Sequence, residues 1–220
     1  MVTQNNFVPV SSEKPSGFYR LCLYLVRLIA WLLLRLSKNK ISGRENIPKT
    51  GGFIFASNHA SHLDPPVLAV ASPRQLTYLA KIELFKNPVF ARLIKSLGAF
   101  PIQRGKGDMK AIETAASFLK AGHALVVFPE GTRTLTGKIG RIRSGAARLA
   151  ILANAPIVPA YISGTYKAWP KHGKIKSGNV TVKIGNPIQP ESSEDTPSSC
   201  AKLTKRIEEI FKKFEEEEIL

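Results

Sequence analysis

The chain has 220 residues, 44% of them hydrophobic and 22% charged, a balance that fills one globular core and excludes a disordered polymer. Its formal charge of +16 is unevenly laid out: residues 191–220 hold nine of the 16 acids and five of the 32 bases, which leaves seven acids and 27 bases, net +20, before them. A body that basic suits a polyanion, whether nucleic acid, an anionic bilayer or a phosphorylated substrate. The two cysteines, Cys22 and Cys200, have neither metal-ligand nor redox spacing, so a reduced compartment without a disulfide is expected.

Residues 1–16 are polar and show no apolar period. The stretch "FYRLCLYLVRLIAWLLLRL" (18–36) follows, and Arg20, Arg27 and Arg35 interrupt it. A membrane-crossing helix needs about 20 mostly apolar residues, whereas the longest charge-free run here is 28–34. On a helix Arg20 and Arg27 share nearly one face, with Arg35 about 60° away. One basic stripe on a greasy helix fits a segment lying in the membrane interface. The same pattern would also serve a helix packed on the domain's own core. The arginines break any signal-peptide core, and no small-residue cleavage site follows.

From residue 40 onward strand and helix patterns alternate. "GFIFAS" (52–57) reads as a buried strand, "PPVLAVA" (65–71) as a short helix and "LTYLAK" (76–81) as a strand. In "NPVFARLIKSLG", Asn87 is the expected N-cap, Pro88 the first helical residue and Gly98 the terminator. "GAFPIQR" (98–104) reads as a strand. A helix follows, with Asp108 near its start and Gly122 past its end. "ALVVF" (124–128) is a buried strand, "SGAARLAILAN" (144–154) a helix, and "PIVPAYIS" (156–163) and "NVTVKIG" (179–185) are strands. A last helix starts near Pro197, and "FEEEEIL" is expected to be its solvated, fraying end. The alternation predicts an α/β fold, a mixed and largely parallel sheet flanked by helices.

Four blocks carry chemistry. "NHASHLD" (58–64) places His59 on a strand-to-helix turn, where ligand-facing residues collect in open sheets. His59 and Asp64 would lie about 140° apart on a continuous helix, but across a turn the carboxylate can fold back onto the imidazole. Such a contact fixes the tautomer and leaves the other ring nitrogen as a base. Asp64 is also expected at the N-cap ahead of Pro65 and Pro66, accepting helix amides. His59-x-x-His62 has metal-ligand spacing, but no third or fourth ligand presents itself. His62 therefore reads as a turn residue, with Leu63 packed inward.

In "VVFPEGTRT" (126–134), Gly131 permits a positive φ and close approach of a ligand. Arg133 offers a planar fork for phosphate, or closes the loop as an ion pair with Glu130. In "LGAFPIQRGKGD" (97–108), Arg104 and Lys106 sit among glycines, a setting for an anionic head group or for a solvated loop. "IVPAYISG" (157–164) reads by itself as a buried strand. No G-x-S-x-G elbow or Walker loop is present. A catalytic histidine would then act on the substrate itself.

In this order the four blocks resemble the glycerolipid acyltransferases, the family of 1-acylglycerol-3-phosphate acyltransferases, over about residues 40–190. The resemblance implies His59 as general base and Asp64 as the residue that orients it. It implies that Arg104, Glu130, Gly131, Thr132 and Arg133 hold the phosphorylated acceptor, and it associates Ile157, Val158 and Pro159 with the acyl donor. Ala91, Gln103 and Thr134 depart from common family choices and bear on acceptor preference. The implied reaction moves an acyl group from acyl-CoA or acyl carrier protein to the sn-2 hydroxyl of lysophosphatidic acid, without metal or cofactor. The expected organisation is a tail and interface helix at 1–38 and an acyltransferase domain at 39–220. The expected setting is the cytoplasmic face of a membrane. The alternatives are another lysolipid or glycerol-3-phosphate-type acceptor, or a non-catalytic basic membrane-binding module. Nucleic acid is not an expected partner, because no aromatic residues interleave with the basic ones.

Overall fold

A seven-stranded sheet organises the chain, in the order β1-β7-β6-β2-β5-β3-β4. The strands are β1 (Lys40–Ser42), β2 (Phe53–Ser57), β3 (Leu76–Lys81), β4 (Ala99–Ile102), β5 (Ala124–Val127), β6 (Ile157–Ser163) and β7 (Thr181–Ile184). Between them run α1 (Asp64–Ala71), α2 (Pro88–Ser96), α3 (Met109–Lys120), α4 (Gly145–Ala153), α5 (Thr165–Ala168) and α6 (Pro197–Ile219). This computed structural model describes residues 40–102, 109–176 and 178–219, together with Gly17, Arg20, Leu21, Tyr24, Leu25 and Leu28. Most of the candidate interface helix, and the Arg104–Lys106 loop, lie outside the described residues. No helix among the described residues is long and apolar enough to cross a membrane.

Strands β2 to β6 are mutually parallel, and β7 pairs antiparallel to β6 while β1 follows β7 in parallel. The sheet is therefore mixed and largely parallel, as the alternation predicts. Sequence reading misses β1 and α5, which are three and four residues long and too short for a period to show.

Alternation along β2 builds a core on each face of the sheet. Phe53 and Phe55 enter a cluster with Leu63, Val67 and Leu68 around α1. Ile54 and Ala56 enter the opposite cluster, with side chains of α3, α4 and α6. All four β2 side chains are fully buried. At the C-terminal end of β2 the chain leaves for α1 on one face. At the C-terminal end of the neighbouring β5 it leaves for α4 on the other. Two adjacent parallel strands whose connections depart to opposite faces open a crevice between their loops.

Local signals behave as predicted around α2. The side chain of Asn87 accepts hydrogen bonds from the Val89 and Phe90 amides, each at 3.0 Å. Gly98 has φ +87°, and a Cβ there would fall 2.1 Å from the Leu76 carbonyl oxygen. The acidic end of α6 departs from expectation. It stays helical to Ile219 and returns to the sheet edge: Glu215 accepts from the Ile139 amide at 3.2 Å, Glu218 from the Thr181 hydroxyl at 3.0 Å, and Glu217 pairs with Lys183. The glutamates find a cationic body to rest on, so the end is docked and not merely solvated.

Candidate active site

The turn after β2 is held before its functional side chains are placed. Asn58 is buried and acts as an extra rung between strands. Its Nδ2 donates to the Ile162 carbonyl at 2.9 Å, and its Oδ1 accepts from the Ile162 amide at 2.7 Å. Ser61 is buried as well; its hydroxyl donates to the Trp169 carbonyl at 2.6 Å and accepts from the Leu63 amide at 3.1 Å. Sequence reading passes over both residues. Their signal is a short polar side chain immediately beyond a buried strand, where only a hydrogen bond makes burial tolerable.

Within that frame Asp64 folds back onto His59. One carboxylate oxygen, Oδ2, meets His59 Nδ1 at 2.8 Å, the Ala60 amide at 2.7 Å and the Ser61 amide at 2.7 Å. Asp64 is fully buried, and its Oδ1 has no hydrogen-bond partner among the described residues. An oxygen already taking two N–H bonds is an acceptor, so His59 Nδ1 meets it as a donor and Nε2 carries the free lone pair. The expected N-cap role is corrected. Asp64 is itself the first residue of α1, Leu63 is the cap, and the amides that Asp64 takes come from the turn before the helix. Pro65 and Pro66 carry no N–H, and the Val67 amide already donates to the Leu63 carbonyl at 2.9 Å, so the first turn leaves Asp64 no helix amide to accept.

The loop after β5 closes over the same histidine. The His59 ring stacks on Phe128, with centroids 3.9 Å apart and planes 15° from parallel. The His59 amide donates to Glu130 Oε1 at 2.7 Å, and its carbonyl accepts from the Thr134 amide at 2.9 Å. Glu130 Oε2 accepts from the Gly140 amide at 2.8 Å. Glu130 is therefore a buried strut between three loop segments, 4% exposed. Burial pushes its carboxyl above the usual range, while the His59 and Gly140 amides pull the other way. Both of its oxygens are engaged by backbone amides, and the alternative Glu130–Arg133 ion pair does not form.

Arg133 turns instead to His62, whose Nε2 accepts from its guanidinium. Burial, and then the neighbouring Arg133 charge, push the His62 pKa down, which keeps this ring neutral and able to accept. His62 is exposed and Leu63 buried, as the turn reading expects. Gly131 has φ +73° and packs against the Arg143 side chain, and both Gly131 and Thr132 are exposed at the crevice. Ile157, Val158 and Pro159 are buried at the N-terminal start of β6, Ile157 in one core and Val158 in the other. The three residues therefore belong to the packed interior of the sheet. The end of β6 that reaches the crevice is Ser163 and Gly164.

The sequence profile described as Acyltransferase matches residues 38–163, which include both loops of the crevice. This chain belongs to the acyltransferase family. It is 32% identical to the 1-acyl-sn-glycerol-3-phosphate acyltransferase of Bacillus subtilis (strain 168), over 90% of this chain and 96% of that protein. It is 34% identical to a probable enzyme of the same name from Mycoplasma genitalium, over 84% and 72% of the two chains. Among solved structures it resembles the 1-acyl-sn-glycerophosphate acyltransferase PlsC of Thermotoga maritima, with a TM-score of 0.75 and 30% identity over 90% of this chain and 79% of that one.

Proposed function

We propose that this acyltransferase moves a fatty acyl group from a thioester, acyl-CoA or acyl carrier protein, to the sn-2 hydroxyl of lysophosphatidic acid and so makes phosphatidic acid. The observation that carries the mechanism is the convergence of His59 Nδ1 and two turn amides on Asp64 Oδ2. In this reading His59 Nε2 removes the hydroxyl proton as the oxygen attacks the thioester carbonyl. The tetrahedral adduct then expels the thiolate, which takes the proton back from the imidazolium. Asp64 holds the ring in its working tautomer and stabilises the charge that forms. A thioester has a good leaving group, so neither an acyl-enzyme nor a cofactor is needed. The relatives' names support the acceptor, and the excess of cations in the first 190 residues suits a phosphorylated acceptor and a phosphate-bearing or acidic donor.

The cationic excess and the 18–36 pattern also support residence at the cytoplasmic face of an anionic membrane. Residues 39–220 are taken as the catalytic domain, with Arg104 and Arg133 as its candidate phosphate ligands. The purified chain in mixed micelles, offered lysophosphatidate, glycerol 3-phosphate and other lysolipids with acyl-CoA and acyl-carrier donors, tests the proposal by product identity. Thiol release dependent on lysophosphatidate and on His59 supports it. Turnover only with glycerol 3-phosphate, or none with any acceptor, rejects it.

A further inference from the structure

Helix α2 wears its large apolar side chains on the outside. Val89 is 79% exposed, Phe90 43% and Leu93 47%, while Ala91 is the one residue of this helix that is buried. At about 100° per residue, Val89 and Leu93 stand about 40° apart with Phe90 about 60° further round, and Ala91 points to the other side. A globular helix turns the other way, with its apolar arc toward the core. The turn before α2 adds Ile82 and Leu84, 43% and 45% exposed. Lys86 and Arg92 are exposed beside the apolar arc, with one acid, Glu83, exposed between Ile82 and Leu84. A contiguous apolar patch rimmed by cations is unusual on a protein that meets only water.

Its place in the fold narrows the occupant. The patch follows the C-terminal end of β3, and β3, β5 and β2 are parallel neighbours. It therefore lies at the same edge of the sheet as His59, two strands away. The described apolar side chains of the N-terminal segment, Leu21, Tyr24, Leu25 and Leu28, are themselves exposed. A second copy would bring another strongly cationic body against the same cationic rim. An anionic bilayer matches both the apolar arc and its rim.

We propose that residues 82–93 are a bilayer-docking surface, with Val89, Phe90 and Leu93 entering the acyl region of an anionic membrane and Lys86 and Arg92 meeting its phosphates. This docking sets the crevice edge of the sheet on the lipid, so that a membrane-borne acceptor need not leave the bilayer to reach His59. The inference rests on the proposed lipid acceptor only in its activity arm.

The test uses the full chain carrying Val89→Ser, Phe90→Ser and Leu93→Ser together. Sedimentation with phosphatidylglycerol–phosphatidylcholine vesicles should show binding weakened about ten-fold or more. Activity on lysophosphatidate held in vesicles should fall in step, while activity on a short-chain lysophosphatidate dissolved as monomers stays at the parent level. In an otherwise unchanged chain, Phe90→Trp should add blue-shifting emission when vesicles are supplied. Undiminished sedimentation of the triple variant overturns the proposal, as does a Phe90→Trp emission that vesicles leave unmoved. Equal loss of both activities would assign the patch to the catalytic fold. A shift from dimer to monomer without vesicles would assign it to a second copy. If the proposed acceptor is wrong, sedimentation and emission still give their answer.

Discussion

Asp64 gathers three donors on one oxygen and leaves the other without a hydrogen-bond partner among the described residues, and that asymmetry separates two substitutions. Asp64→Asn can keep its carbonyl oxygen toward the donors and put its NH2 on the vacant side. The turn should survive in Asp64→Asn, with kcat lower by about 10²–10⁴ because the charge that steadies the imidazolium is gone. Asp64→Ala removes all three bonds, at about 1 kcal/mol each, and should lower stability as well as rate; urea midpoints beside kinetics separate the two. His59→Ala should cost about 10²–10⁴ in rate, a typical loss for a general base, whereas His62→Ala should keep most activity; equal losses would withdraw the assignment. Glu130→Gln keeps one bond but turns an NH2 toward either the His59 or the Gly140 amide, a mismatch of about 1–3 kcal/mol. It should lower the melting temperature together with kcat and leave KM for the acceptor little changed, since both Glu130 oxygens are engaged by backbone amides. A rise in KM alone would support the phosphate-contact reading.

Among elements, α6 carries more than its polar surface suggests. Phe211 is fully buried and Phe214 nearly so, and Phe211→Ala should destabilise by about 3–5 kcal/mol. Glu217→Ala, which breaks a partly exposed pair with Lys183, should stay within about 1 kcal/mol. Chemical denaturation of both variants checks the ratio. The same helix end bears on Tyr161 of β6. Its phenol is pushed up to about 12 by burial and then by Glu215, Glu218 and Glu130. The folded state thus holds the phenolic proton longer than the unfolded chain, whose tyrosine titrates near 10. The sign follows: stability is intact below pH ~10 and falls as pH rises from there toward the folded value. Tyr161→Phe should remove that part of the alkaline loss, measured as urea midpoints from pH 9 to 11.5. No difference in slope between the two proteins would count against the shift.

For the whole molecule, charge is arranged by distance along the chain. Nine acids crowd the last 30 residues, and α6 takes several of them to the β6–β7 side of the sheet. The β3–α2 side keeps its cations exposed. Binding to anionic vesicles should weaken steeply as salt rises from about 0.05 to 0.5 M, since screening shortens the reach of exposed charges to a few ångströms. Vesicles of neutral phosphatidylcholine should bind far less at every salt concentration. Salt-independent binding would point to apolar insertion without electrostatic attraction.

What the sequence determined by itself is what short-range rules govern. Strands with continuous apolar runs, Asn87 and Pro88 opening α2, and Gly98 at a positive φ all follow from a few neighbouring residues. The pairing of His59 with Asp64 was also legible, because a five-residue separation across a turn lets the carboxylate fold back onto the imidazole. Tertiary structure alone decided the rest, because it depends on which strands lie side by side. Only the β2–β5 neighbourhood brings Glu130 under the His59 amide, 71 residues away in sequence. That contact makes Glu130 a strut. Only the β2–β6 neighbourhood gives Asn58 its partners on Ile162. And only the packing of α2 by Ala91 shows that its apolar arc faces outward, since periodicity gives the angle between side chains but never which side the core is on.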